Sequence, residues 1–294
     1  MSRPTPSLLD ELLRRCTFPQ SGSSAACAFS GGPDSTALVA LAVRHGLDTV
    51  AHHVDHGLRP ESASEADSAE RIATALGVPF LRHCAHVAPG PNLEARARAA
   101  RRHALPDGAL TGHTADDQAE TVLLRLIRGS GGDGLSAIEP GPLHPILALR
   151  RSETEALCAE LGIEPVRDAS NALPAMLRNR VRHELLPLAN DIAGRDLVPI
   201  LARTAGLLRD DGAVLDQLAA GVDATDAAAV AGAPPAIARR ALRRLLTIDG
   251  YPPDAASIER VLAVARGEAV ACELSDGRRI ERSRQRFRIV ERDH

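Results

Sequence analysis

Lysine does not occur once in these 294 residues, tryptophan is also missing, and tyrosine and phenylalanine together supply only five side chains. Without lysine there is no Schiff-base chemistry and no lysine-dependent Walker A loop. With so few aromatic rings, stacking on bases is not a main source of affinity for a nucleic acid. The formal net charge of −3 gives no overall positive field, so a nucleic-acid partner would have to meet local patches, and those patches must be arginine. The five cysteines, Cys16, Cys27, Cys84, Cys158 and Cys272, nowhere form a Cys-x-x-Cys pair. That excludes a zinc ribbon and a disulfide framework, and fits a reducing cytoplasm. No apolar run reaches membrane-spanning length, and the opening MSRPTPSLLDELLRRC carries acidic residues where a secretory signal needs an apolar core. The expectation is a soluble, cytoplasmic protein with no membrane partner.

What is present is alternation. From residue 25 to about 113 the short apolar runs AACAF, TVAHHV, PFLRHCAHV and GALTGH are separated by the helical patterns STALVALAVRHG, SEADSAERIATALG and NLEARARAARRHAL. Strands alternating with helices of this length predict an α/β fold with a parallel sheet covered on both faces. A helix over Ala115–Arg128 is expected to bury Val122, Leu123, Leu126 and Ile127, and a basic helix ending near Pro187 to bury Val181, Leu185 and Leu186. Beyond about Asp196, alanine- and leucine-rich helices dominate, and two strand-like pieces, VACEL and RFRIV, close the chain. The expected junction lies at residues 189–195, dividing a catalytic domain, 1–190, from a smaller, mainly helical domain, 191–294.

The turn Ser30-Gly31-Gly32-Pro33-Asp34-Ser35 stands between a buried strand and a helix. Glycine there lets backbone N–H groups at the positive end of a helix dipole face an anion, with phosphate the natural candidate. Ser30 and Ser35 add hydroxyls, and Asp34 is placed to hold a metal carried by phosphates. The plain alternative is a strand-to-helix turn with Asp34 or Ser35 as N-cap. The segment His53-Val-Asp55-His56-Gly-Leu-Arg59 falls at the end of the second strand, the edge where open α/β sheets bind ligands, and nucleotide contact ranks above metal binding for it. In Thr111-Gly-His-Thr-Ala-Asp-Asp-Gln-Ala-Glu120 the spacings of four and three put His113, Asp117 and Glu120 on one helix face, suited to magnesium or to proton handling. Thr114 and Asp117 also fit a capping box. Glu94, Arg98 and Arg101 share a face, with a solvated ion pair as the plain reading. Arg178 and Arg182, four apart, suit phosphate or the charge of phosphoryl transfer.

In this order, SGGPDS, HVDHGLR, NLEARARAAR, TGHTADDQAETVLLRLIRGSG and SN…RNRVRHELLP resemble the tRNA(Ile)-lysidine synthetase family of pyrophosphate-loop ATP pyrophosphatases, over roughly residues 25–190. The resemblance implies an adenine-nucleotide-binding domain and ATP and Mg2+ as cofactors. It also implies two partners, L-lysine and tRNA(Ile) with a CAU anticodon. ATP would adenylate the carbonyl oxygen at carbon 2 of the wobble cytidine, and the lysine ε-amine would then displace AMP to give lysidine. It carries Ser30, Gly31, Gly32, Pro33, Asp34 and Ser35 over as the pyrophosphate loop, and His53, Asp55 and His56 as the adenosine side. Asp34, Arg98, His113, Asp117, Glu120, Arg178 and Arg182 become catalytic or lysine-handling residues, with Asp34 and Asp117 the metal-holding carboxylates. Asp117 or Glu120 would take the proton that the ε-ammonium must lose.

Some positions depart from the family pattern. Arg102-His103 stands where members commonly carry tyrosine, and Leu173 and Met176 replace acidic and aromatic residues. The chain resembles a short form without the further C-terminal tRNA-binding domain of longer members. The arginines of residues 196–294, among them Arg239, Arg240, Arg243, Arg244 and those of GRRIERSRQRFRIV, are therefore expected to touch tRNA phosphates. A tRNA thiolase would need cysteine pairs or a sulfur-carrying partner, and a silent RNA-binding module would not need the intact loop. A homodimer is left open.

Overall fold

Short apolar strands that alternate with amphipathic helices bury both faces of a sheet, and the computed structural model is built on that rule. It describes residues 7–55, 62–85, 96, 99–100, 103–166, 177–248 and 251–290. The chain divides into two compact units, 1–206 and 207–294.

In the first unit, α1 (Leu8–Leu13) precedes β1 (Ser24–Ala28), α2 (Pro33–His45), β2 (Asp48–Asp55), α3 (Ser62–Ala75) and β3 (Phe80–Cys84). The strands are parallel, with Cys27 opposite Ala51 and Ala51 opposite Phe80. Their core joins Phe29, Leu38, Leu41 and Ala51 to Leu149 and Leu157. The expected strand at GALTGH contracts to one parallel bridge, Leu110 with Cys27, because the Thr111 N–H turns away to the Leu143 carbonyl. Leu110 lies on the side of β1 away from β2. The carboxyl end of β1 is thus where the sheet's connections part in opposite directions, the crevice in which open α/β sheets take ligands.

Four elements converge on that edge. Helix α4 (Ala115–Ile127) follows Leu110, and α5 (Arg151–Glu160) packs against α2. Then α6 (Leu177–Arg180) runs into a π-helical turn (Val181–Leu185) and α7 (Leu186–Ala193). The π-turn has a local cause. Pro187 donates no N–H and its ring crowds the carbonyl four residues back, and the wider turn, closed by Leu186 N–H to Val181 C=O, relieves both. Leu126 and Ile127 are more than half exposed and Leu185 is 36% exposed, against expectation. The buried face of α4 instead runs through Ala115, Ala119 and Val122, and meets Leu186 and Val198.

Helix α8 (Val198–Ala220) contains the division between the units, at Gly206/Leu207, whereas the expected junction, 189–195, falls around Gly194 at the end of α7. The second unit folds α9 (Ala227–Gly232), α10 (Pro235–Leu246) and α11 (Ala255–Arg266) onto an antiparallel sheet of β4 (Ala271–Glu273), β5 (Arg279–Ser283) and β6 (Arg286–Val290). Leu242, Leu246, Ile258, Leu262 and Ile280 form its core. Strand β5 escapes the sequence reading because it is dense in charge, and only Ile280 marks its buried face.

Candidate active site

The turn after β1 admits only glycine at its tightest point. Gly31 has φ +77°, and a Cβ there would sit 2.8 Å from Val166 Cγ2 and 3.1 Å from Ala69 Cβ. Its carbonyl accepts from the Val166 N–H at 2.9 Å. The two serines knit the turn. Ser30 N–H donates to Ser35 Oγ at 3.2 Å, Gly32 N–H to Ser30 Oγ at 3.3 Å, and Ser35 Oγ to the Gly32 carbonyl at 3.0 Å. Gly32 caps α2 without a side-chain acceptor, and Pro33 has no N–H to satisfy. The helix therefore opens with its dipole uncapped by any side chain, the arrangement that favours a phosphate oxygen. Gly112 crosses directly over this turn, since a Cβ on it would lie 2.8 Å from the Asp34 carbonyl oxygen.

Asp34 leads into a buried cluster of charges. Its Oδ1 accepts from Thr154 Oγ1 at 2.5 Å and its Oδ2 from Arg151 Nε at 3.4 Å. Arg151 also reaches Glu120 Oε1 at 3.1 Å and Asp117 Oδ1 at 3.3 Å. Arg178 donates to Glu120 Oε2 at 2.9 Å and to Asp117 Oδ1 at 3.1 Å. Arg182 grips Glu120 through both carboxylate oxygens, at 2.6 and 3.0 Å. Glu120 has a side chain only 1% exposed, so a lone charge there would be severely penalised. Three guanidiniums against three carboxylates leave the cluster formally neutral.

The environment separates the two aspartates. Burial pushes the Asp34 carboxyl above its ordinary range, and the Asp117 charge adds to this, against the lowering effects of Thr154 and Arg151. Burial also raises Asp117, but Arg151 and Arg178 outweigh it and hold that carboxyl below the usual range. Asp117 serves two ends at once. Its Oδ2 accepts from the Thr114 N–H at 2.9 Å, completing a capping box, while Oδ1 faces the arginines. The two sequence readings of Asp117 therefore coexist.

His113 stands beside this cluster. Its Nδ1 lies 2.8 Å from Thr111 Oγ1, and Nδ1 of His144 lies 2.6 Å from the same hydroxyl. On the β2 edge, His53 is buried with Nδ1 donating to the Phe29 carbonyl at 3.0 Å, and Asp55 accepts from Arg82 at 2.6 Å. His56, Arg59, Glu94, Arg98 and Arg101, and the segment with Leu173 and Met176, lie outside the described residues. Of the predicted site, the structure thus brings Asp34, Asp117, Glu120, Arg178 and Arg182 into one cluster, sets His113 at its side, and leaves His53 and Asp55 on the neighbouring strand.

Sequence reasoning missed Arg151 and Thr154, both from the first turn of α5, and the His144–Thr111 contact. One signal for Arg151 was legible. Arg150 and Arg151 open a helix, where the dipole disfavours cations. Arg150 is accounted for by Asp116 at 3.0 Å and by Asp196. Arg151 has only the three site carboxylates as ion-pair partners among the described residues.

All five cysteines are free, and burial pushes the Cys27 thiol up to about 12 and Cys158 to about 11. Among the described residues no three His, Cys, Asp or Glu side chains gather into a metal cage, and no helix is long and apolar enough to cross a membrane.

The PP-loop domain family matches residues 7–189. A tRNA(Ile)-lysidine synthase of Thermobifida fusca is 42% identical over 269 residues, which cover 83% of each chain. That of Rhodococcus erythropolis is 46% identical over 239 residues, covering 76% of this chain and 74% of its own. Among solved structures, a U34-tRNA thiolase of Methanococcus maripaludis superposes with a TM-score of 0.51 over 68% of this chain and 78% of its own, at 15% identity, which is a likeness of fold alone.

Proposed function

Because the chain belongs to the tRNA(Ile)-lysidine synthases of the PP-loop family, we propose that it joins free L-lysine to carbon 2 of the wobble cytidine of tRNA(Ile) with a CAU anticodon. ATP is split to AMP and pyrophosphate on the way, and the cytidine is adenylated before lysine attacks. The observation that carries this reading is the convergence of Asp34, Asp117, Glu120, Arg178 and Arg182 at the mouth of the Ser30–Ser35 turn. The turn would hold the leaving pyrophosphate on the amides that open α2. Arg178 and Arg182 would offset the negative charge that spreads over the α-phosphate.

The residues also fit a divalent cation. Asp34 Oδ2 and Asp117 Oδ1 already flank one guanidinium, at 3.4 and 3.3 Å, so a positive charge has a place between two hard oxygen donors. A magnesium ion held there would draw charge from the phosphates. The lysine ε-amine, with an ordinary pKa of about 10.4, must shed a proton before attack. Arg151 and Arg178 hold the Asp117 carboxyl below its ordinary range, and Glu120 is engaged by three guanidiniums, so in this reading those two organise the cations. The proton passes to His113, oriented by the Thr111 hydroxyl. The second unit would dock the tRNA.

Mass spectrometry of an isoleucine tRNA transcript incubated with the protein, ATP and isotopically labelled lysine tests the reading. The labelled mass increment should sit on the wobble cytidine and require both ATP and lysine. A transcript left unmodified while ATP is intact would end it; modification with a sulfur donor in place of lysine would point to thiolation.

A further inference from the structure

A cation at the start of a helix opposes the dipole, and one guanidinium fork cannot give three carboxylates good geometry at once. Arg151 does both, with contacts of 3.1, 3.3 and 3.4 Å to three acidic residues drawn from α2 and α4. Arg182, by contrast, closes on Glu120 at 2.6 Å with a second bond to the same carboxylate and reaches Asp117 only at 3.5 Å. Glu120 and Asp117 also keep Arg178. Asp34 is the exception. Thr154 holds one of its oxygens, and Arg151 is its only ion-pair partner among the described residues. Without Arg151 the cluster would count three carboxylates against two guanidiniums, with the deficit centred between Asp34 and Asp117.

We propose that Arg151 is a positioning residue that acts as an exchangeable counter-cation, holding Asp34, Asp117 and Glu120 at one spacing until the divalent cation of the nucleotide takes its place between Asp34 and Asp117. The inference rests on the ATP-dependent reading of this site given above. It deepens that reading by linking the nucleotide loop to the acceptor-side carboxylates through one side chain. Thr154, one turn along α5, keeps the Asp34 carboxylate aimed while the exchange occurs.

The test uses the full chain without tRNA or lysine, so it does not depend on lysidine being formed. Mn2+ binding is followed by electron paramagnetic resonance in the wild type, Arg151→Gln and Arg151→Lys. Removing the charge should tighten Mn2+ binding to the nucleotide-free protein by about tenfold or more, as expected for a unit charge a few ångströms away in a partly dry site. Arg151→Lys, which keeps the charge, should bind as weakly as the wild type. Adding Asp34→Asn to Arg151→Gln should return binding to the weak level and so locate the ion. In turnover, Arg151→Gln should lower kcat and leave the KM for tRNA unchanged. Unaltered Mn2+ affinity in a folded Arg151→Gln protein would overturn the proposal, as would equal tightening in Arg151→Lys. If Arg151→Gln does not fold, a tightened affinity in Arg151→Lys alone would likewise count against it. Failure of lysidine formation in the wild type with the Mn2+ pattern intact would instead remove the functional reading.

Discussion

The two units use the same pair of chemistries, arginine and carboxylate, in opposite settings. In the first unit three guanidiniums and three carboxylates meet largely shielded from water, around a Glu120 side chain that is almost wholly buried. In the second, Arg239 pairs with Glu259 at 2.6 Å and Arg286 with Asp223 at 2.6 Å, each with about half or more of its side chain exposed. Distances are alike and consequences are not. In water the attraction is screened and offset by side-chain ordering, whereas in a dry cluster each charge depends on its partners. The comparison separates ion pairs by setting: the proposed chemistry would fall on the buried set, whereas the surface set stays in contact with solvent.

Removing one member of each set should separate them most widely. Glu120→Ala leaves three guanidiniums against two carboxylates and should cost about 3–5 kcal/mol of stability, as for other broken buried pairs. Glu259→Ala should leave the urea midpoint unmoved. If the two variants unfold alike, the contrast between the units is wrong.

Asp34→Asn should sharpen the contrast by dividing stability from activity. Its carboxyl is pushed above the ordinary range, chiefly by burial, so the folded state binds the proton more readily than the unfolded chain. Stability then falls as pH rises through the raised value, and the ionised form is a burden at neutral pH. The amide should raise the melting temperature at pH 7, with the difference vanishing below about pH 4. Pyrophosphate release should drop by about a hundredfold or more. An active or less stable variant would contradict the assignment.

Asp117 has the opposite sign. Its folded carboxyl lies below the ordinary range because Arg151 and Arg178 outweigh burial. Its contribution is complete above the unfolded value, about pH 3.9, and is lost as pH falls through the lower folded value. An Asp117→Asn protein should therefore show a shallower acid-denaturation curve below pH 4 than the wild type, measured by circular dichroism.

Much of this was legible beforehand, and the gaps have physical causes. The alternation of AACAF, TVAHHV and PFLRHC with helical patterns announced the parallel sheet, because period and length are local properties. The i, i+3 and i, i+4 spacings placed Asp117, Glu120, Arg178 and Arg182 on usable faces for the same reason. Arg151 was hidden because its three partners are 31, 34 and 117 residues away in sequence. No local pattern encodes such a meeting. Leu126 and Ile127 were misjudged because periodicity identifies an apolar stripe without showing where its cover ends. The π-turn at Val181–Leu185 was equally out of reach, although Pro187 marked the helix as strained there.

The second unit tells which of its expected phosphate-binding arginines are available. Arg278 is buried against Asp276 and the Leu246 carbonyl, Arg282 donates to the Ala265 carbonyl, and Arg239, Arg240 and Arg286 have carboxylate partners. Among the described residues Arg243, Arg244, Arg284 and Arg288 have no ion pair, and Arg244, Arg284 and Arg288 are exposed. Replacing Arg244 or Arg288 by alanine should reduce the slope of log affinity for tRNA against log salt by about 0.7–0.9 each, one phosphate's worth. Replacing Arg239 should change it less, since Glu259 already neutralises that charge. Equal losses at all three positions would mean that pairing in the free protein does not predict contact.

The smallest effect falls at the β5–β6 turn, where Arg284 and Gln285 have φ of +46° and +65°. Both central residues of a two-residue hairpin turn at positive φ define a type I′ geometry, which glycine and asparagine adopt at little cost and arginine does not. Gln285 is held there by the Ala227 N–H at 2.7 Å and by Arg282 at 2.6 Å, so neighbouring contacts enforce the conformation. Arg284→Gly should then raise the melting temperature slightly while lowering the salt slope for tRNA by about one contact. A gain in stability with no change in slope would show that Arg284 is strained without touching tRNA. A loss of stability would show that its side chain, rather than its backbone, sets the turn.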